Sequence, residues 1–158
     1  MSKTTEVEYL RASCDTAQYA DALRLREEVL RIPLGRKFSD EFLSRQQLPE
    51  FQHFAALMHD VVVAAATARI ADGRIQIFQV ATADGLRGRG IGGGLMHFLE
   101  NSLISETGIT DNFVFSRIPA VKFYERHGYS LVDDRVHILT GLEHREMSKR
   151  CQIQAVRS

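Results

Sequence analysis

The sequence predicts a single mixed α/β domain, with strands and helices in the order β-α-α-β-β-β-α-β-α-β-β. Three observations predict it. Residues 53–82 read as three strands joined by the short turns "HD" and "ADG", which is a meander. "LRGRGIGGGL", residues 86–95, is a glycine-rich turn that runs straight into a helix. No repeat, low-complexity tract or Pro/Gly/Ser linker divides the 158 residues, so one domain spans 1–158.

The elements follow in chain order. "EVEYLRAS" (6–13) alternates apolar and polar residues and reads as the first strand. Asp15 caps a helix over "TAQYADALRLREEVL" (16–30), with Tyr19, Leu23 and Leu30 on one face. "IPLGRK" breaks that helix; Ser39 or Asp40 then caps a short one, "EFLSRQQL" (41–48), which Pro49 ends. The meander strands are "HFAALM", "VVVAAATARI" and "RIQIFQVAT". The helix after the glycine loop runs to about Ser105. "NFVFSR" is a strand. "PAVKFYERHG" is a helix with Pro119 in its first turn and Gly128 at its C-terminal cap. "YSLVDD" and "VHILTG" close the chain as strands.

The bulk composition excludes several function classes. Hydrophobic residues make up 44% and charged residues 25%, ordinary values for a globular protein that buries its own core. Lys+Arg and Asp+Glu both number 20, so no general attraction to nucleic acid or to an anionic membrane is expected. Cys14 and Cys151 lie far apart with no CxxC spacing, which reads as two free thiols in a reducing compartment. No His/Cys/Asp/Glu cluster has metal-ligand spacing, so no metal is expected. "MSKTTEVEYL" lacks the basic start and apolar run of a signal peptide. The longest apolar run, "VVVAAATA" with its flanks, falls far short of the roughly 20 residues a membrane helix needs. A cytoplasmic protein is expected.

The glycine loop carries the chemistry. Each glycine inside a helix costs roughly 1 kcal/mol against alanine, yet Gly88, Gly90, Gly92, Gly93 and Gly94 crowd the start of one. The first N–H groups of a helix have no internal partner, and the helix dipole adds partial positive charge there. Glycines remove the Cβ atoms that would hold a phosphate away from those amides. Arg87 and Arg89 add cations beside the site. A nucleotide P-loop is excluded, because Gly94-Leu95 stand where Lys-Ser/Thr must follow. Gly88, Gly90 and Gly93 satisfy GxGxxG, but no acidic residue ends the next strand to hold a ribose, which speaks against a nicotinamide-dependent oxidoreductase.

Arg87-Gly88-Arg89-Gly90-Ile91-Gly92 also fits the pattern Arg/Gln-x-x-Gly-x-Gly/Ala, and here the sequence resembles the GCN5-related N-acetyltransferase (GNAT) superfamily. "KFYERHGY" (122–129) is similar to the superfamily's second signature, an aromatic pair followed by Gly-Tyr or Gly-Phe. "LTGLEHREMSK" (139–149) resembles the closing strand of a branch of small bacterial proteins, and "LRLREEVLRIPLG" (23–35) resembles a first helix. The resemblance implies a mostly antiparallel central sheet flanked by helices. It implies acetyl-CoA as co-substrate and no metal.

The activity it implies is direct transfer of the acetyl group to a primary amine of a small molecule or peptide. Residues 87–92 would hold the cofactor's diphosphate. Val80, Ala81 and Thr82 would offer main-chain groups to the pantetheine arm and the thioester carbonyl. Tyr124 would be the general acid for the leaving thiolate, with Phe123 as the core member of the aromatic pair. Arg117 stands where many members carry Asn or Gln, and is the remaining candidate for a cofactor contact. It can donate to cofactor carbonyls or phosphate but cannot accept. His53, His59, His137, His144, Asp40, Glu41 and Asp84 are open as general base, and a water chain could serve instead. His97 is read as solvent-facing or packed. A homodimer is compatible with the family. A CoA-binding module or sensor without turnover is the alternative from another class.

Overall fold

In the computed structural model, which describes residues 6–152, the chain builds one eight-stranded sheet with helices on both faces. Strands β1 (Glu8–Arg11), β2 (Phe51–Met58), β3 (Val61–Ala71) and β4 (Arg74–Thr82) form an antiparallel half. β5 (Asp111–Arg117), β6 (Ser130–Leu131), β7 (His137–Leu139) and β8 (Leu142–Arg150) form the other, also antiparallel. The order across the sheet is β1-β2-β3-β4-β5-β8-β6, with β7 beside β8, and only the β4–β5 junction is parallel. The amino-terminal stretch read for a targeting signal lies in part outside the described residues. Among those residues, no helix is long and apolar enough to cross a membrane.

The two faces are sorted by strand alternation. Ala64, Ala66, Ala68, Ile75, Ile77 and Val114 pack against α3 (Ile91–Thr107), whose Leu95, Met96, Leu99 and Leu103 are fully buried. Ala55, Leu57 and Ala65 face the other way, against Tyr19, Ala22 and Leu25 of α1 (Ala17–Leu30). The alanine run of β3 lets both helices approach the sheet closely. The meander turns are left-handed at His59-Asp60 and at Asp72-Gly73, the backbone that matches hairpin twist.

Several expectations shift. Thr16, not Asp15, caps α1, its Oγ1 accepting from the Tyr19 N–H at 3.3 Å. The buried face of α1 is Tyr19, Ala22, Leu25 and Arg26, while Leu23 and Leu30 are half-buried. α2 (Asp40–Arg45) is capped by Ser39 and ends well before Pro49. A 3₁₀ turn over Ile118–Ala120 leads into α4 (Val121–Arg126), which is shorter than predicted. The element order gains an eighth strand, β8. Five of its nine residues are charged and only Met147 is buried, so hydrophobic pattern does not reveal it; two neighbours, β5 and β6–β7, hold it by backbone pairing.

Candidate active site

The sheet opens where its two halves meet. β4 and β5 pair at only two positions, Ile75 with Asn112 and Gln76 with Phe113. Beyond them the strands diverge, leaving Ile77–Thr82 and Val114–Arg117 without mutual pairing. A bulge marks the point of departure. Ala65 pairs with Ala81 and Thr67 with Phe78, so Gln79 and Val80 together oppose Ala66. Gln79 takes a positive φ of 53°, uncommon for a residue with a side chain.

A buried clamp holds the bulge. Gln79 Oε1 accepts from Arg26 Nε at 2.8 Å and also from Arg26 Nη2. Arg26 Nη2 donates to Gln46 Oε1 at 2.7 Å as well. Arg26 is 1% exposed, and burial lowers its pKa to about 10. The guanidinium lies over the rings of Phe38 and Phe42, 5.5 and 5.9 Å from their centroids. The sequence reading missed this clamp. Its signal was present: Arg26 stands on the same stripe as Tyr19 and Ala22, where an apolar residue would be expected.

After the bulge, Val80 packs toward the α3 core, Ala81 pairs with Ala65 of the α1 face, and Thr82 returns to the α3 face. The glycine loop follows directly. Gly88 and Gly90 both have φ of +79°, with open space where a Cβ would sit, so their role is conformational. Arg87 and Arg89 are exposed at the loop, and Arg87 forms a surface pair with Asp84 at 3.2 Å. The N–H groups of Gly90, Ile91 and Gly92, at the helix start, have no main-chain partner among the described residues. Gly90 caps α3 without a side chain, and Ile91, the first helical residue, is buried beneath it.

The remaining glycines serve packing. A Cβ at Gly92 would sit 3.2 Å from Thr82 Oγ1 and 3.6 Å from Phe123, so this glycine narrows the distance between loop helix and β4. A Cβ at Gly93 would collide with the His127 ring, and one at Gly94 with the Tyr9 hydroxyl.

The aromatic pair is arranged opposite to expectation. Tyr124 is buried in the main core, 6% exposed, with its ring against Phe123 and Tyr129 at centroid distances of 5.1 and 5.8 Å. Phe123 is only half-buried, between Gly92 and the His127 ring. The core member is therefore Tyr124, because the 3₁₀ entry turn sets the phase of so short a helix. Burial alone pushes the Tyr124 phenol up, with no charged neighbour contributing. Arg117 is exposed at the end of β5, opposite His144 of β8 and away from the glycine loop in sequence and strand position.

Among the base candidates, His53 is removed by its environment. It is 4% exposed, its Nε2 lies 2.7 Å from the Gln46 carbonyl oxygen and its Nδ1 3.1 Å from Thr67 Oγ1. Burial lowers its pKa to about 4. It is a structural cross-link between β2, β3 and the end of α2. His144 Nδ1 lies 2.9 Å from the Leu142 carbonyl, His137 meets the Phe115 ring edge to face, and His59 sits in a hairpin turn. His97 is exposed and 3.6 Å from the buried carboxylate of Glu100. No group of three or more His, Cys, Asp or Glu that could hold a metal occurs among the described residues.

Comparison with known proteins agrees with this arrangement. Residues 19–129 match the Acetyltransferase (GNAT) family. The chain is 25% identical to the uncharacterized N-acetyltransferase YjcF of Bacillus subtilis over 142 residues, covering 84% of this chain and 92% of that protein. Its fold is similar to that of Escherichia coli ElaA, with TM-score 0.76, 20% identity, and 92% of this chain and 99% of that one covered. It is also similar to PaiA N-acetyltransferase of Thermoplasma acidophilum in complex with coenzyme A, with TM-score 0.66, 13% identity and the same coverage.

Proposed function

The chain belongs to the GNAT acetyltransferase family, and on that premise we propose that it moves the acetyl group of acetyl-CoA to a primary amine of a small molecule or peptide, with Tyr124 as the proton donor to the leaving sulfur. It is an acetyl-CoA-dependent acyltransferase by family. The observation that carries the finer reading is the split between β4 and β5, which lies directly before a helix start with unpartnered N–H groups.

The residues fit the co-substrate. Arg87, Gly88, Arg89, Gly90, Ile91 and Gly92 would hold the diphosphate, because the left-handed glycines leave open space over the free amides. The unpaired edge of β4 at Val80, Ala81 and Thr82 would hydrogen-bond to the pantetheine arm as an added strand does. Arg117 would reach the same split from the end of β5. Bound acetyl-CoA supplies the activated acetyl thioester. A neutral amine adds to the carbonyl carbon, the C–N bond forms, and the C–S bond breaks with its electrons on sulfur. The raised pKa keeps Tyr124 protonated at any working pH, the form in which its hydroxyl would donate to that sulfur. The amine loses its proton to solvent or a water chain, and no side chain is assigned as base.

Tyr124→Phe tests this reading. The hydroxyl is the only group removed, so the fold should persist. We expect kcat to fall about 10²-fold while acetyl-CoA affinity, read by a melting shift, is retained. Unchanged turnover would take Tyr124 out of the mechanism. Cofactor binding with no transfer to any amine by the unaltered protein would favour a CoA-binding module without turnover.

A further inference from the structure

The face of the split opposite α3 is lined by cations that have no acidic partner. On that face, beside the opening, β3 and β4 pack against α1. Arg26, midway along it, reaches Gln79 on β4. Arg31, just past its end, lies close enough to Arg117 at the end of β5 for the two charges to act on each other, and Arg36 acts on it as well. Arg36 is fixed across the opening by donating from Nη1 to the Thr140 carbonyl, at 2.6 Å, in the β7–β8 turn. Arg26 and Arg31 share the Phe38 ring, 5.5 and 5.6 Å from its centroid. Arg31, Arg36 and Arg117 thus gather at one mouth, with the buried Arg26 guanidinium beneath them.

Six arginines elsewhere are paired, Arg11 with Glu106, Arg24 with Asp21, Arg69 with Glu50, Arg74 with Asp111, Arg87 with Asp84 and Arg135 with Asp133, whereas Arg45, Arg89, Arg126, Arg145 and Arg150 stand singly and are not gathered with one another. No ion pair involves Arg26, Arg31, Arg36 or Arg117 among the described residues. The nearby acids are otherwise placed. The Glu27 carboxylate accepts the Phe38 N–H at 2.8 Å, and Glu146 stands opposite Phe115 on β8. Arg26 is the telling member, because a cation at 1% exposure balanced only by two amide oxygens and two rings leaves an uncompensated positive field. The chain as a whole has equal numbers of acidic and basic residues, so this field is local.

We propose that the acceptor is a primary amine that also carries an oxyanion, a carboxylate or a phosphate, and that this group docks on Arg31 and Arg36, just past the end of α1 beside the β4–β5 split. The inference rests on the acetyltransferase reading and extends it to the acceptor. The diphosphate of the cofactor is accounted for at the glycine loop, so these arginines are left for the second substrate. The guanidinium fork suits either oxyanion. The docked group takes no part in the bond changes; it orients the amine so that its nitrogen meets the carbonyl carbon. The same field repels polyamines and lysine-rich peptides.

The test is kcat/KM, from released CoA thiol, for amines in matched sets. Glycine, 4-aminobutyrate and O-phosphoethanolamine carry the oxyanion; glycinamide, ethanolamine and 1,4-diaminobutane do not. At least one anionic amine should exceed its neutral counterpart about ten-fold or more, as loss of a charge-assisted hydrogen bond would predict. A carboxylate or a phosphate preference identifies which oxyanion is used. Arg31→Gln and Arg36→Gln should bring that ratio toward one through KM for the amine, and Arg31→Lys should restore part of it. A preference for neutral or dicationic amines, equal rates, a ratio untouched by the glutamine variants, or no turnover of any anionic amine overturns the proposal. A melting shift with acetyl-CoA is recorded on every variant. Its absence in the unaltered protein would overturn the transferase reading, and this inference with it.

Discussion

His53 shows how one side chain can couple the fold to pH. Its ring is enclosed with both nitrogens bonded, and protonation would put a second charge beside Arg26. The unfolded chain holds that proton near pH 6.5 and the folded chain only near 4. Between those values the unfolded state binds more protons, so stability is complete above about pH 6.5 and is lost as pH falls toward 4. The full loss is roughly 3 kcal/mol. Melting temperature should therefore drop measurably between pH 6.5 and 5, before most carboxylates titrate. His53→Gln should flatten that slope, and a slope unchanged in the variant would assign it elsewhere. His127, lowered by burial first and then by the charge of His97, acts in the same direction. At this scale the sequence was partly legible. The residues of the glycine loop and the aromatic pair could be named, because their spacing is a backbone requirement. Which ring of Phe123-Tyr124 turns inward could not, since adjacent helical positions are 100° apart and a 3₁₀ turn fixes the phase. His53 read as a candidate base because its burial depends on β2, β3 and the end of α2 coming together, which no local window shows.

The start of α3 divides its glycines between two duties, and each duty predicts a different phenotype. Gly90 sits at φ +79° with nothing near its missing Cβ. Gly90→Val should cost about 1–2 kcal/mol of local strain and should chiefly weaken acetyl-CoA binding, by crowding the free amides. Gly93→Ala meets the His127 ring, so it should lower the melting temperature by the 1–3 kcal/mol typical of overpacking while acetyl-CoA affinity in the folded fraction is kept. Binding isotherms alongside denaturation curves separate the two; identical behaviour of both variants would refute the division. Elements whose punctuation is chemical were legible. The Asp-Gly turn, the Ser39 cap and the glycine that follows α4 are short-range signals. β8 was legible only through the resemblance of residues 139–149 to a family closing strand and not from its own pattern, because a strand flanked on both sides by partners can carry five charges when its side chains reach solvent. The bulge at Gln79 also left no mark in "IFQVAT", since it depends on an arginine 53 positions earlier in the chain.

For the molecule as a whole, the reading makes a cofactor choice that a melting curve decides. Acetyl-CoA at about 100 times its Kd should stabilise the protein by roughly 2.7 kcal/mol, and NADH should not. For a chain of this length that is a shift of about 5–10 °C. Stabilisation by NADH alone would reverse the choice. The mixed α/β class could be read from the order of elements, whereas the partition of the sheet could not, because strand neighbours distant in sequence are set by how two helices cover opposite faces. That partition has a mechanical outcome. The amino-terminal and carboxy-terminal half-sheets share two rungs, the contacts of Arg74 with Asp111 and the Phe113 ring, the Arg36–Thr140 hydrogen bond beyond the open end, and the helix that links them. Such a seam lets the halves breathe against each other. Amide protons along the facing edges, residues 77–82 and 114–117, should exchange with deuterium quickly in the free protein. A ligand lying between those edges would stitch them, slow that exchange, and make the two halves unfold as one.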